Sequence, residues 1–228
     1  MRFFINKPAF FSHLLIQSEP QLRSIYNHPF NQGLFTGNLD VHIFRHYLLN
    51  DIYYLSQFQK AITTMMCQNK GLPVARVFQT LSDMIGTEEA MHDAYRHFYD
   101  TDEIKYFKPD ACILPYCDFI RGLEQAPLLV QLSGLAPCLW TYRCLPVKYS
   151  QHLRNDAHLY QDWVETYHAP AFVGITSALV MHINTVANGE LLETKSAAKD
   201  AFKKGTAFEL AFYDEVFYLH SPQVRIRD

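Results

Sequence analysis

Three residues stand where chemistry is possible: Asp51, Cys138 and Glu209. Each interrupts an apolar stripe. Between Asp40 and residue 68 the spacing Phe44, Tyr47, Leu48, Tyr54, Leu55, Phe58, Ile62 marks one face of a helix, and Asp51 falls on that face. Burying a carboxylate among aromatic rings is costly unless it is paired or hydrogen-bonded. Near the C-terminus Phe202, Thr206, Phe212, Tyr213 and Val216 form a second face, with Glu209 as its carboxylate. Desolvation raises the pKa of such a group, so it can take up and release a proton near neutral pH. Asp214 and Glu215 lie off that face and read as solvated charges. A third face carries Leu135, Cys138, Leu139 and Tyr142. Pro137 either starts or kinks the helix there, leaving backbone groups free beside the thiol. A lone cysteine on an apolar face is most often a small core hydrophobe, so its spacing alone does not make it a nucleophile. Tyr116 and Tyr167 sit at the inner ends of short helices, where a tyrosine can stack on a flat ligand and offer it a hydroxyl.

A metal reading competes. Glu89-Ala-Met-His92 is a Glu-x-x-His pair, and Glu88 to His92 is an i,i+4 pair. Bundle-core dinuclear sites need two such pairs. No second one is present, and His182 has no carboxylate near it, so His92 is expected to orient a neighbour or cap a core hydrogen bond instead.

The elements that position these residues are helices. Short ones are expected at 8–17 and 19–26, then a turn-rich connection at 28–39. Asp40 is the expected N-cap of a long helix to about 68. A stop at Gly71-Leu72-Pro73 opens a helix over 73–100, in which Gly86 marks a bend or a close approach. Others follow at 109–123, 126–151, 156–167, 170–187 and 191–219, with Asn188-Gly189 as a C-cap signal. No segment favours a strand. The expectation is one helical domain over 1–228, an orthogonal or irregular bundle with loose ends at 1–7 and 220–228.

Composition agrees. The 228 residues include 17 Phe and 14 Tyr, enough for a large core with a pocket in it. The formal net charge is −3, and the basic residues are scattered, so no stripe for nucleic acid is seen. No apolar run reaches the roughly 20 residues that span a bilayer. The N-terminus does not read as a signal peptide. The five cysteines are odd in number and fit no zinc spacing, so a reduced, cytoplasmic protein is expected.

In order and spacing, several segments together resemble the thiaminase II (TenA) family, over about residues 26 to 217. They are HPFNQGLFTGNL (28–39), FRHYLLNDIYYLSQF (44–58), Glu88 or Glu89 with His92, LAPCLWTY (135–142), YQDWVETY (160–167) and FELAFYDEV (208–216). The resemblance implies a haem-oxygenase-like all-α fold and a homotetramer. It implies Cys138 as catalytic cysteine, in the branch that keeps that residue, and Glu209 as acid/base. Asp51 would bind the amino group and ring nitrogen of a pyrimidine, and Tyr54, Tyr116, Tyr142 and Tyr167 would line its ring. The implied reaction converts 4-amino-5-aminomethyl-2-methylpyrimidine to the hydroxymethyl compound and ammonia, with thiamin as a further substrate of many members. It needs no metal or organic cofactor, no nucleic acid and no membrane. Phe208 stands where the family usually has Tyr, and Asn50 where it commonly has Gln; neither is expected to touch a catalytic group. Two alternatives are a metal-dependent oxygenase on the same bundle and a non-catalytic pyrimidine-binding or regulatory protein.

Overall fold

A computed structural model describes residues 9–99, 101–152 and 158–219. Among them every regular element is helical: α1 (Phe10–Gln17), α2 (Glu19–Tyr26), α3 (Pro29–Thr36), α4 (Val41–Gln68), α5 (Ala75–Ala94), α6 (Thr101–Tyr106), α7 (Ile113–Gly122), α8 (Leu128–Lys148), α9 (Gln161–His168), α10 (Pro170–Ala187) and α11 (Leu192–Tyr218). The ends expected to be loose, 1–7 and 220–228, lie outside the described residues, as does the expected helix start at 156.

Most boundaries fall within a few residues of expectation, and the exceptions have physical causes. The stretch 28–39 is not a connection: it contains α3. His28 caps it by accepting from the Phe30 N–H at 3.1 Å, Pro29 opens it, and Gly37 closes it at φ 75°. Proline at the first helical position and glycine just past the last are start and stop signals, not turn signals. Asp40 caps α4 as expected, accepting from the His42 N–H at 2.7 Å. The helix expected over 73–100 ends at Ala94, and a separate α6 follows. A Cβ on Gly86 would meet nothing within 4 Å, so no close approach explains that glycine. The α10 helix ends at Ala187 as expected, but Asn188 keeps right-handed helical angles and no left-handed cap forms.

Pro137 neither starts nor ends a helix; it lies inside α8. Helices α8 and α11 form the most extensive pair in the molecule. Their backbones meet at Gly134 and Gly205. A Cβ on Gly205 would come within 2.9 Å of Pro137 Cγ and 3.0 Å of the Gly134 carbonyl oxygen. That contact positions the site, because Cys138 and Glu209 each lie one helical turn beyond it. Helix α4 packs on α5 and α7, and α9 packs against α5, α8 and α10. By length and composition α10 is apolar enough to cross a membrane, with a mean hydropathy of 1.4; here it packs on α1, α5, α8 and α9.

Candidate functional site

Where these helices converge they leave a narrow, largely filled cavity. Asp51 and Tyr54 enter it from α4, Tyr116 from α7, Cys138 and Tyr142 from α8, Tyr167 from α9 and Glu209 from α11. All seven residues singled out in the sequence therefore line one space. The apolar lining comes from Leu55, Phe58, Met84, Ile85, Leu139, Phe172 and Phe212.

The α4 side is a paired network. Asp51 Oδ2 lies 3.1 Å from His92 Nε2, an ion-pair distance made off the ring N–H direction. The same oxygen accepts from the Tyr47 hydroxyl at 3.4 Å. Tyr47 in turn shares a hydrogen bond with Tyr142 at 3.2 Å and accepts from Trp163 Nε1 at 3.4 Å. His92 thus stands within ion-pair reach of Asp51, with neither ring nitrogen hydrogen-bonded. Glu89 is exposed, so the Glu89/His92 pair does not assemble, and no three His, Cys, Asp or Glu side chains cluster to hold a metal ion among the described residues.

The α11 side is less paired. Glu209 is 1% exposed. Its Oε1 accepts a short hydrogen bond from the Tyr116 hydroxyl, and its Oε2 has no hydrogen-bond partner. Burial raises its pKa to about 7, opposed by the Tyr116 hydroxyl and, more weakly, by the neighbouring Cys138 thiol. The thiol itself is pushed well above its ordinary value by burial and then by the charges of Glu209, Glu88 and Asp51. The Tyr54 hydroxyl is also buried without a hydrogen bond. Phe208 stacks on Tyr116 at 5.1 Å and 10°, so this departure from the family pattern backs the ring that holds Glu209. Asn50 points away from the cavity and ties α4 to Asp110, donating to its carboxylate at 3.0 Å.

Rings face the space in two pairs, Tyr54 with Tyr116 at 4.7 Å and Tyr142 with Tyr167 at 4.6 Å between centroids. Burial holds all four phenols well above their ordinary pKa, so each remains a neutral hydroxyl. Rings and hydroxyls of this kind can stack on a flat heterocycle and hydrogen-bond its polar edge. Unpartnered Glu209 Oε2 and Tyr54 Oη are what a buried polar atom awaiting a ligand looks like.

One polar cavity residue was given no site role in the sequence. Glu88 is 6% exposed and lines the cavity from α5. Burial, then the charge of Asp51, pushes its pKa well up, and a Tyr167 contact opposes them. The signal was available: Val77, Leu81, Ile85, Glu88 and His92 share one stripe of α5, the same pattern that singled out Asp51 and Glu209.

Fold and site together define an all-α bundle of the haem-oxygenase-like kind with a buried, tyrosine-lined cavity holding carboxylates and a thiol. The match to a cyanobacterial haem oxygenase-1 from Synechocystis, at a TM-score of 0.59 and 13% identity over 91% of each chain, supports the fold alone. The chain belongs to the TENA/THI-4/PQQC family, whose model matches residues 15–218. It is similar to a TenA homologue from P. horikoshii, with a TM-score of 0.81 and 22% identity over 91% of this chain and 98% of that one. Among curated proteins it is 28% identical to the aminopyrimidine aminohydrolase of Bacillus subtilis, over 82% of this chain and 80% of that protein. It is 24% identical to the aminopyrimidine aminohydrolase of Halalkalibacterium halodurans, over 92% and 96% of the two.

Proposed function

We propose that this chain is a hydrolase of thiamin salvage in the cysteine-containing branch of its family. It converts 4-amino-5-aminomethyl-2-methylpyrimidine and water to the hydroxymethyl compound and ammonia. The observation that carries this reading is the meeting of Cys138, Asp51 and Glu209, from three separate helices, in one cavity lined by tyrosines.

The roles follow from the environments. Asp51, beside His92 and Tyr47, accepts from the ring's amino group. Tyr54, Tyr116, Tyr142 and Tyr167 take the flat faces and edges of the ring. Burial and three neighbouring carboxyl groups disfavour a standing Cys138 thiolate, so the thiol gives up its proton as it attacks. Glu209 is the base at hand, with a free oxygen and a pKa of about 7. Sulfur adds to a ring carbon, and the displaced electrons move out through the exocyclic methylene and break its C–N bond. The protonated nitrogen leaves as ammonia, which then takes up the proton held by Glu209 and departs as ammonium. Glu209, again a carboxylate, takes a proton from water as the oxygen bonds to the methylene. The C–S bond then breaks and Cys138 recovers a proton from Glu209. Every atom and charge is returned, and no cofactor is required.

Cys138→Ala is expected to abolish ammonia release from the aminomethyl pyrimidine while circular dichroism shows an unchanged helical fold. Full activity in that variant refutes the covalent step.

A further inference from the structure

Glu88 is a third carboxyl group in the cavity, and the reaction just described gives it no task. Its position is informative. It lies on α5 one turn from His92, and His92 contacts Asp51. Glu88 and Asp51 therefore line the same cavity and are linked through His92, one turn from Glu88 and 3.1 Å from Asp51. Met84 and Ile85 of the same helix line the cavity as well.

The charge inventory is one-sided. No Lys or Arg is among the residues lining the cavity, which presents Asp51, Glu88 and Glu209. A buried carboxylate is stable only when paired, so such a space is complementary to a ligand bearing positive charge. Chemistry says where that charge sits. In the aminopyrimidine the ring amino group and the substituted methylene are on adjacent ring carbons. A ring held by its amino edge at Asp51 turns its methylene substituent to one side of Asp51, and Glu88 is the lining carboxyl group one helical turn from Asp51's partner His92.

We propose that Glu88 determines specificity by pairing with a cationic nitrogen on the exocyclic methylene, either a primary ammonium or a quaternary ring nitrogen. This rests on the hydrolase reading and adds the basis of its selectivity. An alkylamine is protonated at neutral pH, as lysine is. In a cavity of low dielectric its pairing with Glu88 is strong. Burial and Asp51, which together favour the protonated acid, are both countered when a cation arrives. The hydroxymethyl product has no charge, so it loses this contact and is released.

The test is a calorimetric titration of the full chain in a Cys138→Ala background, which prevents turnover. The ligands are the aminomethyl pyrimidine, thiamin and the hydroxymethyl pyrimidine. With Glu88 present, the amine is expected to bind at least about tenfold more tightly than the alcohol. Adding Glu88→Gln is expected to weaken the amine by about 30-fold, in line with truncation of buried charge pairs, and to leave the alcohol within about twofold. Thiamin weakening in parallel shows that any cationic nitrogen suffices; weakening of the amine alone assigns the ammonium. Glu88→Asp, which keeps the charge, is expected to restore part of the preference. Equal losses for amine and alcohol reveal a merely structural role and overturn the proposal, as does no loss for the amine. Glu88→Gln that fails to fold leaves Glu88→Asp to decide, with unchanged amine-over-alcohol preference despite the shortened side chain overturning it. If the Glu88-containing protein binds none of the three, the hydrolase reading falls and this one falls with it.

Discussion

Asp51 and Glu209 are both buried carboxyl groups on long helices, and both face one cavity, yet their surroundings differ. Asp51 has a basic partner in His92 and a hydroxyl in Tyr47. Glu209 has only neutral neighbours, the Tyr116 hydroxyl bonded to one oxygen and the Cys138 thiol close by. Asp51, held between His92 and the Tyr47 hydroxyl, serves as a fixed acceptor. Glu209, without a basic partner, is poised near pH 7 and can move a proton. Position on a stripe is thus common to both, and the neighbours divide the labour.

The largest effect expected is from Glu209→Gln, which keeps shape and removes the titrating oxygen. Its kcat is expected to fall by about 10³, within the range for loss of general acid–base catalysis. The same variant tests the cost of burial. Glu209 binds its proton more tightly in the folded chain, with a pKa of about 7 against 4.5. Between these values the folded state holds the extra proton, so this group's contribution to stability falls as pH rises through the window. Above pH 7 the loss is complete, on the order of 3 kcal/mol. Glu209→Gln is therefore expected to gain thermal stability over the parent at pH 8 and to show little gain at pH 5. Equal melting curves at both pH values contradict the burial argument.

Asp51→Asn keeps the volume and removes the fixed acceptor. It is expected to cost about 10² in kcat/KM, mostly through KM, because a binding contact is lost and the proton relay is not. A loss confined to kcat makes the two carboxyl groups alike and breaks the comparison.

Tyr116→Phe is the mildest. Its hydroxyl favours the Glu209 carboxylate, so removing it raises the Glu209 pKa. In the parent, activity is expected to climb with pH through about 7 as Glu209 deprotonates. In Tyr116→Phe that rise is expected to shift to higher pH by less than about one unit, with less than about tenfold loss at neutral pH. A shift to lower pH reverses the assigned role of that hydrogen bond.

Much of this was legible before any coordinates. The stripes on α4, α8 and α11 singled out Asp51, Cys138 and Glu209 because a helix displays its burial pattern in its spacing. Other features were hidden by ambiguity in local signals. Pro29 and Gly37 bound a helix but read as turns. Glu88 and Glu89 are neighbours, and the competing metal reading drew attention to the pair; only one of them points inward, and α5's apolar stripe, followed strictly, selects Glu88. Pro137 could start or kink a helix, and the close packing at Gly205 places it inside one.

Helix class and inward-facing residues are properties of short-range periodicity, so the amino-acid order determined them alone. Which inward faces share a space is a matter of contacts between residues distant in the chain. Only the packing of α4, α5, α8 and α11 decided that Asp51 would meet His92, that Glu209 would lie beside a thiol, and that Glu88 would share the cavity with Asp51. Desolvation and charge pairing act through space, and they turn three similar acids into three different tools.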